Sequence, residues 1–396
     1  MFSFFVGIDI GKYHHQAAFI DIEGNKSSPD VSFDNTGEGF DLLLMSLNHF
    51  DKEQTVVGLE ATGHYWLALY SFLADAGWTI KVINPIQSDA FRNLYIRKTK
   101  TDRKDSFIIA EVLRFGRYIE TILPDEKLSQ LKELSRCRVG LVETVGNLKR
   151  KTLSILDRVF PEFAKCFSNV FGSSPVELLN EYPSPEELAN ADIEKLIKLL
   201  ERSSRGRHSA KKATELQELA RKSVGIKKGI NALTFEMKLL LEQMSFIDRQ
   251  IEELDSFIAE IMKDFLLVLS IPGIGPVTGG AIIGEIGDIT RFGTPQKLQA
   301  FAGMDPKVTQ SGQFTGTNNK ISKRGSPYLR RAVYIAANIA RIHDPIFKEH
   351  YERLVVRGKH PKQALAAVAT KLLRVIHAVM VKQVPYTPAI LSNKRR

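Results

Sequence analysis

Four carboxylates, Asp9, Glu60, Asp102 and Asp105, stand in settings that ask for chemistry. Asp9 interrupts the apolar run FFVGIDIG, and Glu60 closes the run VVGLE. A carboxylate in such a strand is costly to bury unless it is paired or holds a metal ion. Asp102 and Asp105 lie three residues apart at the start of a helical pattern, so both project from one face. Two strand carboxylates and a helix-start pair make an all-oxygen donor set of the kind Mg²⁺ takes. With two ions, such a set stabilises the attacking and leaving oxygens of a phosphoryl transfer. Each acid alone has a plainer reading: Asp9 opening a turn, Asp102 and Asp105 as helix-start charges favoured by the dipole. The four together favour the metal site. Arg92, Arg97, Lys98, Lys100, Arg103 and Lys104 crowd the same stretch, where cations would attract a scissile phosphate.

A second set of candidates lies near the other end. IPGIGPVTGGAI reads as a helix-hairpin-helix, in which Gly273 and Gly275 let backbone N–H groups approach a DNA phosphate without sequence preference. Gly273, Gly275 and Gly279 also resemble a dinucleotide fingerprint, but that motif follows a strand, and here a long helical pattern precedes it. Downstream, Lys320, Lys323, Arg324, Arg330 and Arg331 fall in a stretch without an acid. Ser311 precedes Gly312 in a loop, where a serine in basic surroundings is a nucleophile candidate if some group removes its proton. By chemistry alone Ser322 and Ser326 are equally eligible.

Positioning these groups requires particular elements. FFVGIDIG, HHQAAFIDIEGN, QTVVGLEAT and WTIKVIN read as strands, the second ending in a turn at Gly24-Asn25. Helices are expected over about 65–76 and 88–95, with another over DRKDSFIIAEVLRFG. Hairpin strands followed by strand–helix alternation predict a mixed sheet with helices packed on it. From Pro124 the pattern is helical. Ile230, Leu233, Met237, Leu240, Met244, Ile247, Ile251, Leu254, Ile258 and Ile261 step by three and four, a heptad seam. That seam serves equally an antiparallel hairpin within one chain or a dimer. A polar insert over 167–228 contains the capping box Ser184-Pro185-Glu186-Glu187 and a basic stretch with Arg202, Arg205 and Arg207, either solvated or facing a phosphate backbone. The last segment, from about 264, ends in two expected helices, over 332–358 and 361–380.

Composition sets the limits. At 396 residues the chain is expected to hold three domains: 1–123 with the carboxylates, 124–263 as a helical coiled-coil region with the insert, and 264–396 with the helix-hairpin-helix and the serine loop. The fold class is α/β followed by all-α. A net charge of +10 raises the expectation of a polyanionic partner. Cys137 and Cys166 stand far apart with no CxxC spacing, which argues against structural zinc and a disulfide framework and fits a reducing compartment. The apolar N-terminus is too short for a signal peptide and no uncharged run approaches a membrane span, so the expectation is a cytoplasmic protein without a membrane partner.

These motifs, GIDIGK, GLEATGHY, KTDRKDSFIIAE, SIPGIGPVTGGAIIGEIGDITRF, FAGMDPKVTQSG and ISKRGSPYLRRA, together resemble the DEDD-type insertion-sequence transposases of insertion-sequence family one-ten, the bridge-RNA-guided recombinases. The resemblance covers both ends and most of the chain. It implies an RNase H-like (RuvC-like) N-terminal domain whose carboxylates bind Mg²⁺, and a C-terminal transposase domain. By its place in TQSG, Ser311 is then the nucleophile that forms a phosphoserine link to DNA. It further implies donor and target DNA as substrates, a structured non-coding guide RNA that pairs with both, action on nucleoid DNA, and a homo-oligomer, dimer or tetramer, whose active sites are shared between protomers. The 167–228 insert departs from the family pattern. Three rivals remain: a Mg²⁺-dependent Holliday-junction-type nuclease without a covalent intermediate, an actin-like sugar kinase or ATPase suggested by VGIDIGK but lacking the other phosphate and adenosine loops, and a non-catalytic DNA-binding protein.

Overall fold

In a computed structural model the described residues are 2–61, 63–92, 101–116, 125–306, 310–311, 314–315 and 321–388. The chain divides into two compact units, 1–123 and 124–396.

Unit 1 is built on a five-stranded mixed sheet. Its strands are β1 (Phe4–Ile10), β2 (His14–Asp21), β3 (Lys26–Asp34), β4 (Thr55–Glu60) and β5 (Thr79–Ile83), in the order β3-β2-β1-β4-β5. β1, β2 and β3 pair antiparallel, whereas β1–β4 and β4–β5 are parallel. Four helices accompany the sheet: α1 (Gly37–Leu47), α2 (Trp66–Asp75), α3 (Pro85–Arg92) and α4 (Asp102–Phe115). The expected α3 start at 88 moves to Pro85, a residue whose fixed φ suits a first helical position. β3 and α1 had no counterpart in the sequence reading.

Alternation along the strands sorts the two faces. Val6, Ile8, Val57 and Leu59 join a core with Leu43, Leu69 and Leu73, while Phe5, Val56 and Ile83 pack against Ile108, Ile109 and Leu113 of α4. With a period of two, Gly7 and Asp9 share the α4 face with Phe5, as Gly58 and Glu60 share it with Val56. Gly7 and Gly58 are register partners. A Cβ on Gly7 would stand 2.1 Å from the Ser106 carbonyl oxygen, and one on Gly58 would stand 2.6 Å from Leu113 Cδ1. α4 therefore lies on a glycine-paved strip, and its first turn reaches the strand ends that carry Asp9 and Glu60.

Unit 2 is helical. Its helices are α5 (Glu126–Val159), α6 (Ser173–Glu181), α7 (Pro185–Ala189), α8 (Ile193–Ser204), α9 (Ala210–Arg221), α10 (Ile230–Ile261), α11 (Leu266–Leu269), α12 (Pro276–Ile286), α13 (Pro295–Phe301), α14 (Pro327–His343), α15 (Pro345–Val356) and α16 (Pro361–Lys382). α5 and α10 run antiparallel: Leu128 and Leu131 meet Ile258 and Met262, and Leu148 to Val159 meet Met237 to Met244. Arg138 and Asp255 tie the pair with a two-pronged ion pair. The seam of α10 is thus used within the chain, while Phe235, Leu239, Phe246 and Phe257 of the same helix stay exposed.

The α5 start and α10 end share one core with α12, α14 and α16, and the opposite ends share another with the segment 167–228. The expected division at 263/264 falls inside this unit. That segment folds as α6 to α9, and Ser184 caps α7 as its capping box foretells, accepting from the Glu187 N–H at 3.2 Å and donating to its carboxylate at 2.8 Å. The single helix expected over 332–358 is two. Asp344 accepts from the N–H groups of Ile346 and Phe347, and Pro345 cannot continue the α14 hydrogen-bond ladder. α16 is long and apolar enough to cross a membrane, yet its Val368, Leu372 and Ile376 are fully buried in the unit's core.

Candidate active site and nucleic-acid contacts

Asp9, Glu60, Asp102 and Asp105 line one cleft of about 460 Å³ in unit 1. Asp9 and Glu60 sit at the carboxyl ends of adjacent parallel strands, and Asp102 and Asp105 occupy the first turn of α4. Thr101 caps that turn by accepting from the Lys104 N–H at 3.4 Å, which fixes where α4 begins. Asp105 and Glu60 are almost fully buried, whereas Asp102 is exposed.

The acids crowd one another. Burial, reinforced by the charges of Asp105, Asp102 and Glu60, pushes the Asp9 carboxyl up to about 6. Burial also raises Glu60, against the opposing pull of a Ser88 hydrogen bond and the Arg92 charge. Ser88 Oγ donates to Glu60 Oε2 at 3.0 Å. Arg92 donates to Asp105 Oδ1 from Nε at 3.1 Å and also pairs with Asp89. As placed, no three acidic, His or Cys side chains among the described residues form a metal-coordinating group. The guanidinium of Arg92 supplies the local positive charge instead. The residues fit a divalent cation nonetheless, since four carboxylates gathered in one cleft, with Asp9 and Glu60 raised, offer the oxygen donors a hard cation takes.

Several wall residues were not foreseen. His14, His15, Gln16 and Ser32 reach the cleft from β2 and β3, and Pro85 and Asp89 from α3, beside Arg92, which the sequence already placed near the acids. His15 is buried, with Nδ1 accepting from the Gly11 N–H at 3.3 Å and Nε2 without a close hydrogen-bond partner among the described residues. The spacing Ser88, Asp89, Arg92 is the one sequence signal for the α3 wall, placing polar groups on successive turns.

The other expected contacts disperse. Arg97, Lys98, Lys100 and Lys320 lie outside the described residues. Arg103 is exposed, with Nε 3.7 Å from Asp30 Oδ2, and Lys104 is exposed on the same turn. Arg330 donates to the Ala302 carbonyl at 3.0 Å and Arg331 pairs with Glu143 at 3.0 Å, so both are engaged within the protein. Lys323, with φ 57, and Arg324 are exposed. Gly273 allows close packing, since a Cβ there would stand 2.4 Å from the Ala336 carbonyl oxygen. Gly275 precedes α12 with open space around it and no side-chain cap, so that helix start is accessible.

Ser311 lies in a two-residue strand, β6 (Gln310–Ser311), paired with β7 (Phe314–Thr315), and its side chain lies outside the described residues. Of the two other eligible serines, Ser326 caps α14 and donates to the buried Glu285 at 2.7 Å, and Ser322 is bound to Asp305.

Residues 6–161 match the transposase family model for DEDD transposases of IS110 type, and residues 266–352 match the transposase model of the IS116/IS110/IS902 family. The chain carries the domains of the IS110/IS116 transposase family. Relatives along the whole length include the 44.8 kDa protein of insertion element IS116 of Streptomyces clavuligerus, 24% identical over 97% of this chain and 96% of that protein. A pilin gene-inverting protein of Moraxella bovis is 23% identical over 98% of each chain. The transposase for insertion sequence element IS1111A of Coxiella burnetii is 30% identical, over 42% of this chain and 47% of its own. These domains indicate a DNA transposase/recombinase, and DEDD transposases generally use divalent metal ions. The first match spans all four carboxylates and the second spans Ser311. The whole segment from α6 to α9 falls between them.

Proposed function

We propose that the protein cuts and rejoins the DNA of an insertion sequence, with the unit 1 cleft as its metal-binding centre and Ser311 as its nucleophile. Unit 1 is read as an RNase H-like, RuvC-like domain. Its strand order, its antiparallel β1-β2-β3 meander beside parallel β4 and β5, and the acids at the strand ends support that reading. The observation that carries the proposal is the gathering of Asp9, Glu60, Asp102 and Asp105 in one cleft.

Those four carboxylates would hold Mg²⁺, two ions by the donor count. Bound there, the metal supplies charge stabilisation for the oxygens of a phosphoryl transfer. The protein's own groups do the rest. Arg92 holds Asp105 until a cation takes its place, and Ser88 fixes the Glu60 carboxylate. Ser311 Oγ loses its proton and bonds to phosphorus, forming a phosphoserine ester as the DNA oxygen leaves and takes up a proton. Attack of a DNA hydroxyl on that ester then restores the serine and rejoins a strand.

A structured non-coding RNA pairing with donor and target DNA supplies the sequence specificity, as the family resemblance implies. The net charge of +10 and the exposed Lys323, Arg324 and α12 start are consistent with backbone contacts to nucleic acid. Self-association is supported by the exposed Phe235, Phe246 and Phe257 along α10. The protein would then act as a dimer or tetramer on nucleoid DNA in the cytoplasm.

The test is incubation with labelled element-end DNA, Mg²⁺ and the flanking non-coding RNA. Wild type should give an SDS-stable protein–DNA adduct, Ser311→Ala none, and Asp9→Ala neither adduct nor cleavage while still binding DNA. Hydrolysed ends without an adduct would favour the junction-type nuclease.

A further inference from the structure

Between the start of α6 and the turn joining α8 to α9 lies a cleft of about 370 Å³. Asn169, Ser173, Ser204, Arg205, Arg207 and His208 are among its lining residues, and no carboxylate lines it among the described residues. We propose that this cleft binds a phosphodiester of a nucleic-acid backbone through the guanidinium groups of Arg205 and Arg207, an inference that rests on the reading of the protein as a nucleic-acid enzyme.

The cations of this region divide into two sets. Arg202 is held by Glu177 at 2.8 Å, and Lys212 pairs with Glu215 at 3.1 Å and lies over the Phe167 ring. Arg205 and Arg207 are exposed and, among the described residues, enter no ion pair. Two charges on one cleft without a compensating acid repel each other, and an anion between them removes that repulsion.

The frame around them is fixed. Ser203 Oγ donates to Ser174 Oγ at 2.9 Å, tying α8 to α6 across the cleft floor. α8 ends with Arg205 in the left-handed region, φ 53 and ψ 46, followed by Gly206 at φ 78. That turn places Arg205 and Arg207 on either side of Gly206 at the cleft. The lining offers guanidinium, hydroxyl, side-chain amide and imidazole donors to an acceptor-only phosphate. The start of α6, which has no side-chain cap, adds backbone N–H groups.

Arg205→Gly/Arg207→Ala in the full chain removes both guanidinium groups while leaving a residue at 205 that adopts the left-handed turn freely. Fluorescence anisotropy in EDTA, with labelled single-stranded RNA and duplex DNA of about 20 nucleotides or base pairs, reads affinity against salt. Losing two phosphate contacts should lower the slope of log K against log salt by about 1.4 for RNA or 1.8 for duplex DNA, and weaken binding roughly 10- to 30-fold at 0.15 M salt. The probe that shows this drop identifies which backbone the cleft takes. Lys195→Ala/Lys198→Ala, the same charge change on the exposed side of α8, should leave slope and affinity near wild type. Wild-type-like binding of both probes by the Arg205→Gly/Arg207→Ala variant overturns the cleft and leaves the transposase reading standing. Equal losses in the two double variants also overturn it, as general charge attraction. A labelled deca-glutamate peptide whose binding alone depends on Arg205 and Arg207 overturns it in favour of an acidic protein partner. Absence of nucleic-acid binding by wild type contradicts both readings together.

Discussion

Replacing Asp9 by Asn should stabilise the metal-free protein, an outcome opposite to the usual effect of altering a half-buried polar residue. Burial strips part of the hydration of the ionised Asp9 carboxylate, and the charges of Asp105, Asp102 and Glu60 add to this, which raises it from 3.8 to about 6. At about 1.4 kcal/mol per pH unit, that rise sets a ceiling of about 3 kcal/mol. Asp9 keeps partial contact with solvent, which screens the repulsion and reduces the expected gain to about 1–2 kcal/mol. The sign follows from proton binding. The folded protein holds the Asp9 proton more tightly than the unfolded chain, so wild type is favoured below 3.8 and loses that contribution as pH rises through about 6. Asn carries no such titration. Urea unfolding in EDTA should therefore show the Asp9→Asn advantage in full at pH 7.5, shrinking progressively below pH 6 towards pH 4. A variant less stable than wild type at pH 7.5, or a difference that ignores pH, would refute the claim that burial and the neighbouring acids hold the Asp9 carboxyl above its ordinary value in the folded protein.

Divalent metal should reverse the order: at about 100 times its Kd, Mg²⁺ should stabilise wild type by about 2.7 kcal/mol and Asp9→Asn far less, read as a shift in the urea midpoint. Gly7→Ala drives a Cβ into the α4 backbone at Ser106, so it should cost about 1–3 kcal/mol and lower metal affinity by moving Asp102 and Asp105 off the strand ends. Urea unfolding and calorimetric Mg²⁺ titration would check both effects. Glu285→Ala removes the buried partner of Arg136, bound at 2.6 and 3.2 Å, and of Ser326, and should destabilise unit 2 by about 2–4 kcal/mol. An unchanged melting temperature would show that this network is dispensable.

How much of this was legible in the sequence depends on how local the cause is. Asp9 and Glu60 betray themselves because they break apolar strand patterns, and Asp102 with Asp105 because Thr101 marks a helix start. The break between α14 and α15 was readable in Asp344-Pro345, and reading through that pair joined two helices into one. What the sequence hides is contact between distant segments. His15 and Ser32 reach the cleft only once two hairpins have paired, and Gly7 and Gly58 look like weak strand residues until their register sets them side by side beneath α4. Arg330 and Arg331 stand out in the sequence only as part of a basic stretch, and their contacts with the Ala302 carbonyl and Glu143 join distant segments that charge density does not reveal. Arg202 is taken by Glu177 in the same way, leaving Arg205 and Arg207 for a ligand.

The central claim, that these four carboxylates form one divalent-metal centre, is tested most directly by anomalous diffraction from crystals soaked in Mn²⁺. The expected result is anomalous density in the cleft, with Asp9 and Asp105 oxygens about 2.0–2.3 Å from it and Arg92 turned away from Asp105. Crystals that bind Mn²⁺ elsewhere, with the Arg92–Asp105 pair intact and the cleft without anomalous density, would contradict it.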